Sequence, residues 1–116
     1  MNSKYSKFKY LIRNFSNSYF NLYHNITLEF EVCRLDQISN FHFTALLCLK
    51  KIGEENLFDK EEVLANSRKK LGRLINEIVL LQYQTKMNRS LLILFLEESN
   101  LLMEFLGSKE HEKTPE

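Results

Sequence analysis

Asp36, Ser39 and His42 follow one another at intervals of three, so one helical face would present a carboxylate, a hydroxyl and an imidazole. Those are the groups of a nucleophilic triad. A rigid helix, however, supplies neither the exposed elbow for the nucleophile nor the oxyanion-stabilising donors that acyl transfer needs. The spacing therefore predicts a polar notch in a packed stripe, with His42 satisfied by a neighbour. Arg34 and His42 stand too far apart for the Arg-x4-6-His arrangement of helical ribonucleases. No Glu-x-x-His pair of the kind that builds di-metal sites in helical bundles occurs; His111 directly follows Glu110. The residues predict no enzyme activity, no metal, no cofactor and no small-molecule substrate.

Basic residues give a stronger signal. Arg68, Lys69, Lys70 and Arg73 place four positive charges within about one and a half helical turns, a pattern suited to phosphate contacts. A second basic stretch, Lys4, Lys7, Lys9 and Arg13, is interleaved with Tyr5, Phe8 and Tyr10. Mixed aromatic and basic residues can stack bases and hold a nucleic-acid backbone. The plainer reading of the aromatics is core, with lysines on the solvated face. Net charge is only +1, so charge as a whole demands neither nucleic acid nor membrane. Its distribution is uneven. Residues 1–28 hold no acid, whereas Glu97, Glu98, Glu104, Glu110, Glu112 and Glu116 outnumber Lys109 and Lys113 at the other end.

The elements that position these residues are read from apolar spacing. At 116 residues and 44% hydrophobic content, the chain predicts one ordered domain with a modest core. Its only proline is Pro115, and its glycines are Gly53, Gly72 and Gly107. Tyr5, Phe8, Ile12, Phe15, Tyr19 and Leu22 step by three and four, predicting a helix over 5–23. A rival reading pairs alternating residues within 7–12 and 26–32 as two strands, but the helical face persists longer. Leu28, Val32, Leu35, Ser39, His42, Leu46 and Leu49 predict a second helix over 27–52, closed by Gly53.

Asp59-Lys60-Glu61-Glu62 has the form of a capping box and opens a third helix over 59–87. Its stripe is Leu64, Ser67, Leu71, Leu74, Ile78, Leu81 and Thr85, and Gly72 inside it suggests close approach of a neighbouring helix. Asn88 or Ser90 can cap a fourth helix over 89–106, stopped by Gly107. Leu91–Leu96 is apolar all round, which requires that helix to be central or to meet another subunit. The residues chosen for such an interface are Leu91, Leu92, Phe95, Leu102 and Phe105.

The sum is an all-α, antiparallel up-down four-helix bundle over 1–107 with a polar tail over 108–116. No run is long enough to span a bilayer, and no segment resembles a signal peptide. Cys33 and Cys48, if on one helix, lie about 22 Å apart along its axis and read as free thiols of the reducing cytoplasm.

Leu71-Gly72-Arg73-Leu74 followed by Glu77, a tight turn, and the apolar stretch Leu91–Gly107 resemble the C-terminal half of a group of small bundle proteins. These are the ribosomal-RNA intervening-sequence proteins and the accessory variability determinants (Avd) of diversity-generating retroelements. The resemblance covers about the last fifty residues. This chain has no proline after its first helix, ends its motif at Leu106-Gly107, and is nearly neutral where Avd proteins are basic. The resemblance implies a homo-oligomeric bundle that binds RNA and a reverse transcriptase, with Arg68, Lys69, Lys70 and Arg73 as candidate contacts. The functional expectation is a non-enzymatic, RNA-leaning nucleic-acid-binding accessory protein. The alternative is a protein-interaction module of inhibitor or immunity type, holding a host or phage protein on an apolar helix face.

Overall fold

A computed structural model of the chain describes residues 3–28 and 34–113. Four helices account for most of them: α1 (Ser3–His24), α2 (Arg34–Glu54), α3 (Glu61–Leu81) and α4 (Arg89–Lys113). They form the antiparallel up-down bundle that the apolar spacing predicts. Around the bundle α1 packs on α4, α4 on α3, and α3 on α2; α2 and α1 meet least closely of the four adjacent pairs. Helices α1 and α3 are therefore diagonal partners.

The sequence boundaries need several corrections. Residues 8–12 are helical, and no strand forms there. A short ribbon does exist elsewhere: β1 (Thr27–Leu28) pairs antiparallel with β2 (Thr85–Lys86), Thr27 opposite Lys86 and Leu28 opposite Thr85. It ties the C-terminal ends of the two diagonal helices. Helix α2 accordingly begins at Arg34 rather than at 27, and the expectations for Phe30, Val32 and Cys33 lie outside the described residues. Helix α3 stops at Leu81, where the Thr85 hydroxyl donates to the Leu81 carbonyl (3.0 Å) and turns the chain into β2. Thr85 keeps the buried position its spacing predicts, but from a strand.

The glycines behave unlike helix stops. Helix α2 runs one residue past Gly53, and the left-handed backbone position beyond it belongs to Asn56 (φ 54°). Helix α4 continues through Gly107 to Lys113, so most of the expected tail is helical. A Cβ on Gly72 would meet nothing within 4 Å, which removes close helix packing as its explanation. At the start of α3 the N-cap position is Lys60, one residue beyond the expected Asp59, and Lys60 makes no side-chain cap. At α4 the expectation is met: the Leu91 amide donates to Asn88 Oδ1 (3.0 Å).

The core follows from these placements. Phe8, Phe15 and Leu22 of α1, Leu71, Leu74 and Ile78 of α3, and Phe95 and Leu102 of α4 are essentially fully buried. Every member of the α3 stripe is buried as predicted. On α2 the buried line is Ile38, His42, Ala45, Leu49 and Ile52, so Ser39 and Leu46 sit at its edge. Phe58, from the loop between α2 and α3, closes one end of the bundle edge-on against Phe8 (centroids 5.2 Å).

Candidate nucleic-acid interface

The basic run on α3 divides between two seams of the bundle. Arg68 turns toward α4. Its Nη1 donates to the Leu106 carbonyl (2.8 Å), and its Nη2 lies 3.4 Å from Glu61 Oε2. Gly107 borders this contact: a Cβ there would stand 3.9 Å from Arg68 Cδ. Arg68 is thus a half-buried tether between two helices, a role the sequence did not reveal because Leu106 is 38 residues away.

Lys69, Lys70 and Arg73 turn toward α2, where they line a groove of about 250 Å³ with Asn66, Phe41 and Thr44. Asn66, Lys69, Lys70 and Arg73 occupy i, i+3, i+4 and i+7, one helical stripe. Lys69 and Arg73 are exposed and Lys70 is half-buried. The Arg73 guanidinium stands 5.8 Å from the centre of the Phe41 ring, a cation–π distance that holds its charge over the groove. Asn66 Nδ2 approaches Cys48 Sγ (3.8 Å), and the Thr44 hydroxyl donates to the Asn40 carbonyl (2.8 Å). Three cations beside an aromatic ring and a carboxamide can hold phosphate oxygens. Asn66 was missed in the sequence, although its spacing to Lys69 and Arg73 was there to find it.

The first basic stretch does not merge with this groove. On α1, Lys7, Lys9 and Arg13 are exposed and Lys4 is half-buried; Lys9 Nζ lies 5.4 Å over the Tyr5 ring. Lys9 and Arg13 instead line a second groove, between α1 and α2. Helix α2 separates the two.

Asp36, Ser39 and His42 form no open site. The His42 imidazole stacks flat on Tyr19 (centroids 3.8 Å, interplanar angle 6°), with Phe15 and Phe20 each 5.9 Å away. Asp36 is exposed, while His42 is only 7% exposed. His42 Nε2 is buried without a hydrogen bond among the described residues, and ring stacking stands where the polar partner is expected. Burial pushes its pKa down to about 4, which leaves it neutral near pH 7. The Tyr19 hydroxyl lies beside Ser39 without a well-formed hydrogen bond, and burial pushes its pKa up to about 12.

The residues expected at an oligomer interface are core residues of the protomer. Leu92, Phe95 and Leu102 are buried, and Leu91 and Phe105 are half-buried against them. Helix α4 is one of four peripheral helices, and its outward apolar residues are Ile93, Leu94 and Leu101. Among the described residues no helix is long and apolar enough to cross a membrane. No three His, Cys, Asp or Glu side chains among them are grouped to hold a metal ion.

Comparison with protein-family models, curated proteins and solved structures returned no match to this chain.

Proposed function

We propose that this chain is a cytoplasmic, non-enzymatic accessory protein that binds nucleic acid, RNA by preference, through the α2–α3 groove. The observation that carries the reading is the convergence of Lys69, Lys70 and Arg73 beside Phe41. Arg68, held by Leu106 and Glu61, leaves the contact set. The bundle works as a homo-oligomer, with Ile93, Leu94 and Leu101 as the apolar surface available to a second copy. A reverse transcriptase remains the partner implied by the resemblance of Leu71–Glu77.

The test is binding to single-stranded and structured RNA across a salt series. Each phosphate contact contributes a slope of roughly −0.7 to −0.9 in log K against log salt, so three cations give about −2 to −3. Replacing Lys69, Lys70 and Arg73 together with alanine should flatten that slope while the protein stays folded. Salt-indifferent affinity, or no binding at low salt, overturns the proposal.

The exposed line Ile93, Leu94 and Leu101 favours one second reading, an interaction module for a protein target. A stoichiometric protein partner captured from nuclease-treated lysate, and lost on Leu101→Glu, would select that reading.

A further inference from the structure

The α1–α2 seam is closed at one end and open at the other. At the closed end the stacked rings of Tyr19 and His42 fill the space between the helices. Toward the start of α1 and the end of α2 nothing comparable does, and a groove of about 310 Å³ remains. That is about twice the roughly 150 Å³ known to accommodate a benzene ring in an apolar protein cavity. Tyr5, Phe8, Ile12 and Leu49 line it, and Lys9, Arg13 and Lys50 stand among them. Phe8 and Leu49 are 0% exposed and back the groove from the core, so the apolar surface open to a ligand is that of Ile12 and Tyr5.

Gly53 contributes to this opening. Its backbone is not in the left-handed region, so the chain's path does not require a glycine there. An added Cβ would sit 3.6 Å from Phe8 and 3.7 Å from Tyr5, in ordinary contact, and anything larger would enter the groove. A glycine inside a helix costs about 0.5–1 kcal/mol relative to alanine. What it leaves here is space between Tyr5 and Phe8.

The charge around the groove selects its occupant. Arg13 and Lys50 are exposed and make no ion pair among the described residues. The one acid in the lining, Glu54, neighbours Gly53 at the Tyr5 end, and Arg13 stands about 12 Å further along α1. A ligand with an apolar body and a single anionic head matches this arrangement. The body lies on Ile12 and Tyr5, and the head meets Arg13, the cation farthest from the Glu54 end, with Lys50, one helical turn from Glu54, beside it.

We propose that the α1–α2 groove is a binding site for a small carboxylate-bearing amphiphile. The site is separate from the α2–α3 groove and does not depend on the nucleic-acid reading.

The experiment is an NMR titration of the full chain near pH 7 with decanoate, kept below its micelle concentration. Decanol and decyltrimethylammonium serve as neutral and cationic comparisons. Decanoate should bind saturably at one per chain, shifting the amides of residues 5–13 and 49–54. Decanol should bind more weakly, and decyltrimethylammonium weakest of the three. Arg13→Glu and Lys50→Glu, both at exposed positions, should each weaken decanoate at least about fivefold and decanol by less than about twofold. Gly53→Leu should weaken both ligands about tenfold or more by occupying the groove. The charge variants keep the test decisive if Gly53→Leu fails to fold. Binding that never saturates, equal affinity for the three ligands, shifts centred on Lys69–Arg73, or indifference to both charge variants would overturn the proposal.

Discussion

Helix α2 is flanked by two grooves of similar size and the same sign of charge, yet they differ in what lies beneath the charge. On the α3 side the helices pack closely, and the groove is the more enclosed of the two, with the exposed Thr44 and Asn66 in its lining. Its cations stand among polar groups with one aromatic ring, Phe41, a setting for phosphates that keep much of their hydration. On the α1 side the helices meet least, and the cations line a groove with Ile12 and Tyr5, backed by the buried Phe8 and Leu49. There an anion is favoured only with an apolar body attached. A list of basic residues does not distinguish the two cases; the packing of the seam does.

The sharpest challenge to this contrast concerns the closed end of the α1–α2 seam. His42 has a folded pKa of about 4 against an ordinary value of 6.5. Between those values the unfolded chain binds a proton that the folded chain does not, so stability falls as pH drops from 6.5 toward 4. The loss approaches roughly 3 kcal/mol. Urea denaturation across pH 7 to 4 measures it, and His42→Leu should remove most of the slope. If the wild-type curve stays flat, the imidazole is hydrated, and the seam is open along its whole length.

A smaller effect separates Arg68 from the other α3 cations. Arg68→Ala should destabilise the fold by about 1.5–3 kcal/mol, the usual worth of a charge-assisted hydrogen bond, and leave the salt slope for RNA unchanged. The Lys69, Lys70 and Arg73 triple variant should do the reverse. Should Arg68→Ala flatten the salt slope, the basic run acts as one unit, and the division between the two seams fails.

The smallest effect is at Gly72, which lies between Leu71 and Arg73 on the helix shared by tether and groove. Since a Cβ there meets nothing within 4 Å, Gly72→Ala should stabilise the protein by about 1 kcal/mol, read as a higher melting temperature. A lower melting temperature would mean that another copy packs on that face.

The α3 stripe was legible residue by residue because a straight helix with one buried face carries its burial in its spacing. Helix α2 was legible only in part. Its predicted stripe was counted from Leu28, but the helix begins at Arg34 and its buried line runs through Ile38 and Ala45. The α4 interface residues were misassigned for a related reason. An all-apolar run such as Leu91–Leu96 marks no face, and only packing on α1 and α3 assigns Leu92 and Phe95 to the core and Ile93 and Leu94 to the surface. Of the candidate groove, the charges were legible and their partners were not. Phe41 and Lys69 are far apart in the chain and meet only when α2 lies beside α3.

The sequence by itself determined four helices, their up-down order and a cap for α4 at Asn88 or Ser90, because these rest on local spacing, short connections and backbone hydrogen bonding. Tertiary structure decided which seam each cation faces, where the bundle stays open and which glycine makes room. Those outcomes depend on how side chains from different helices fill shared space, and no periodicity along one helix encodes its neighbour's shape.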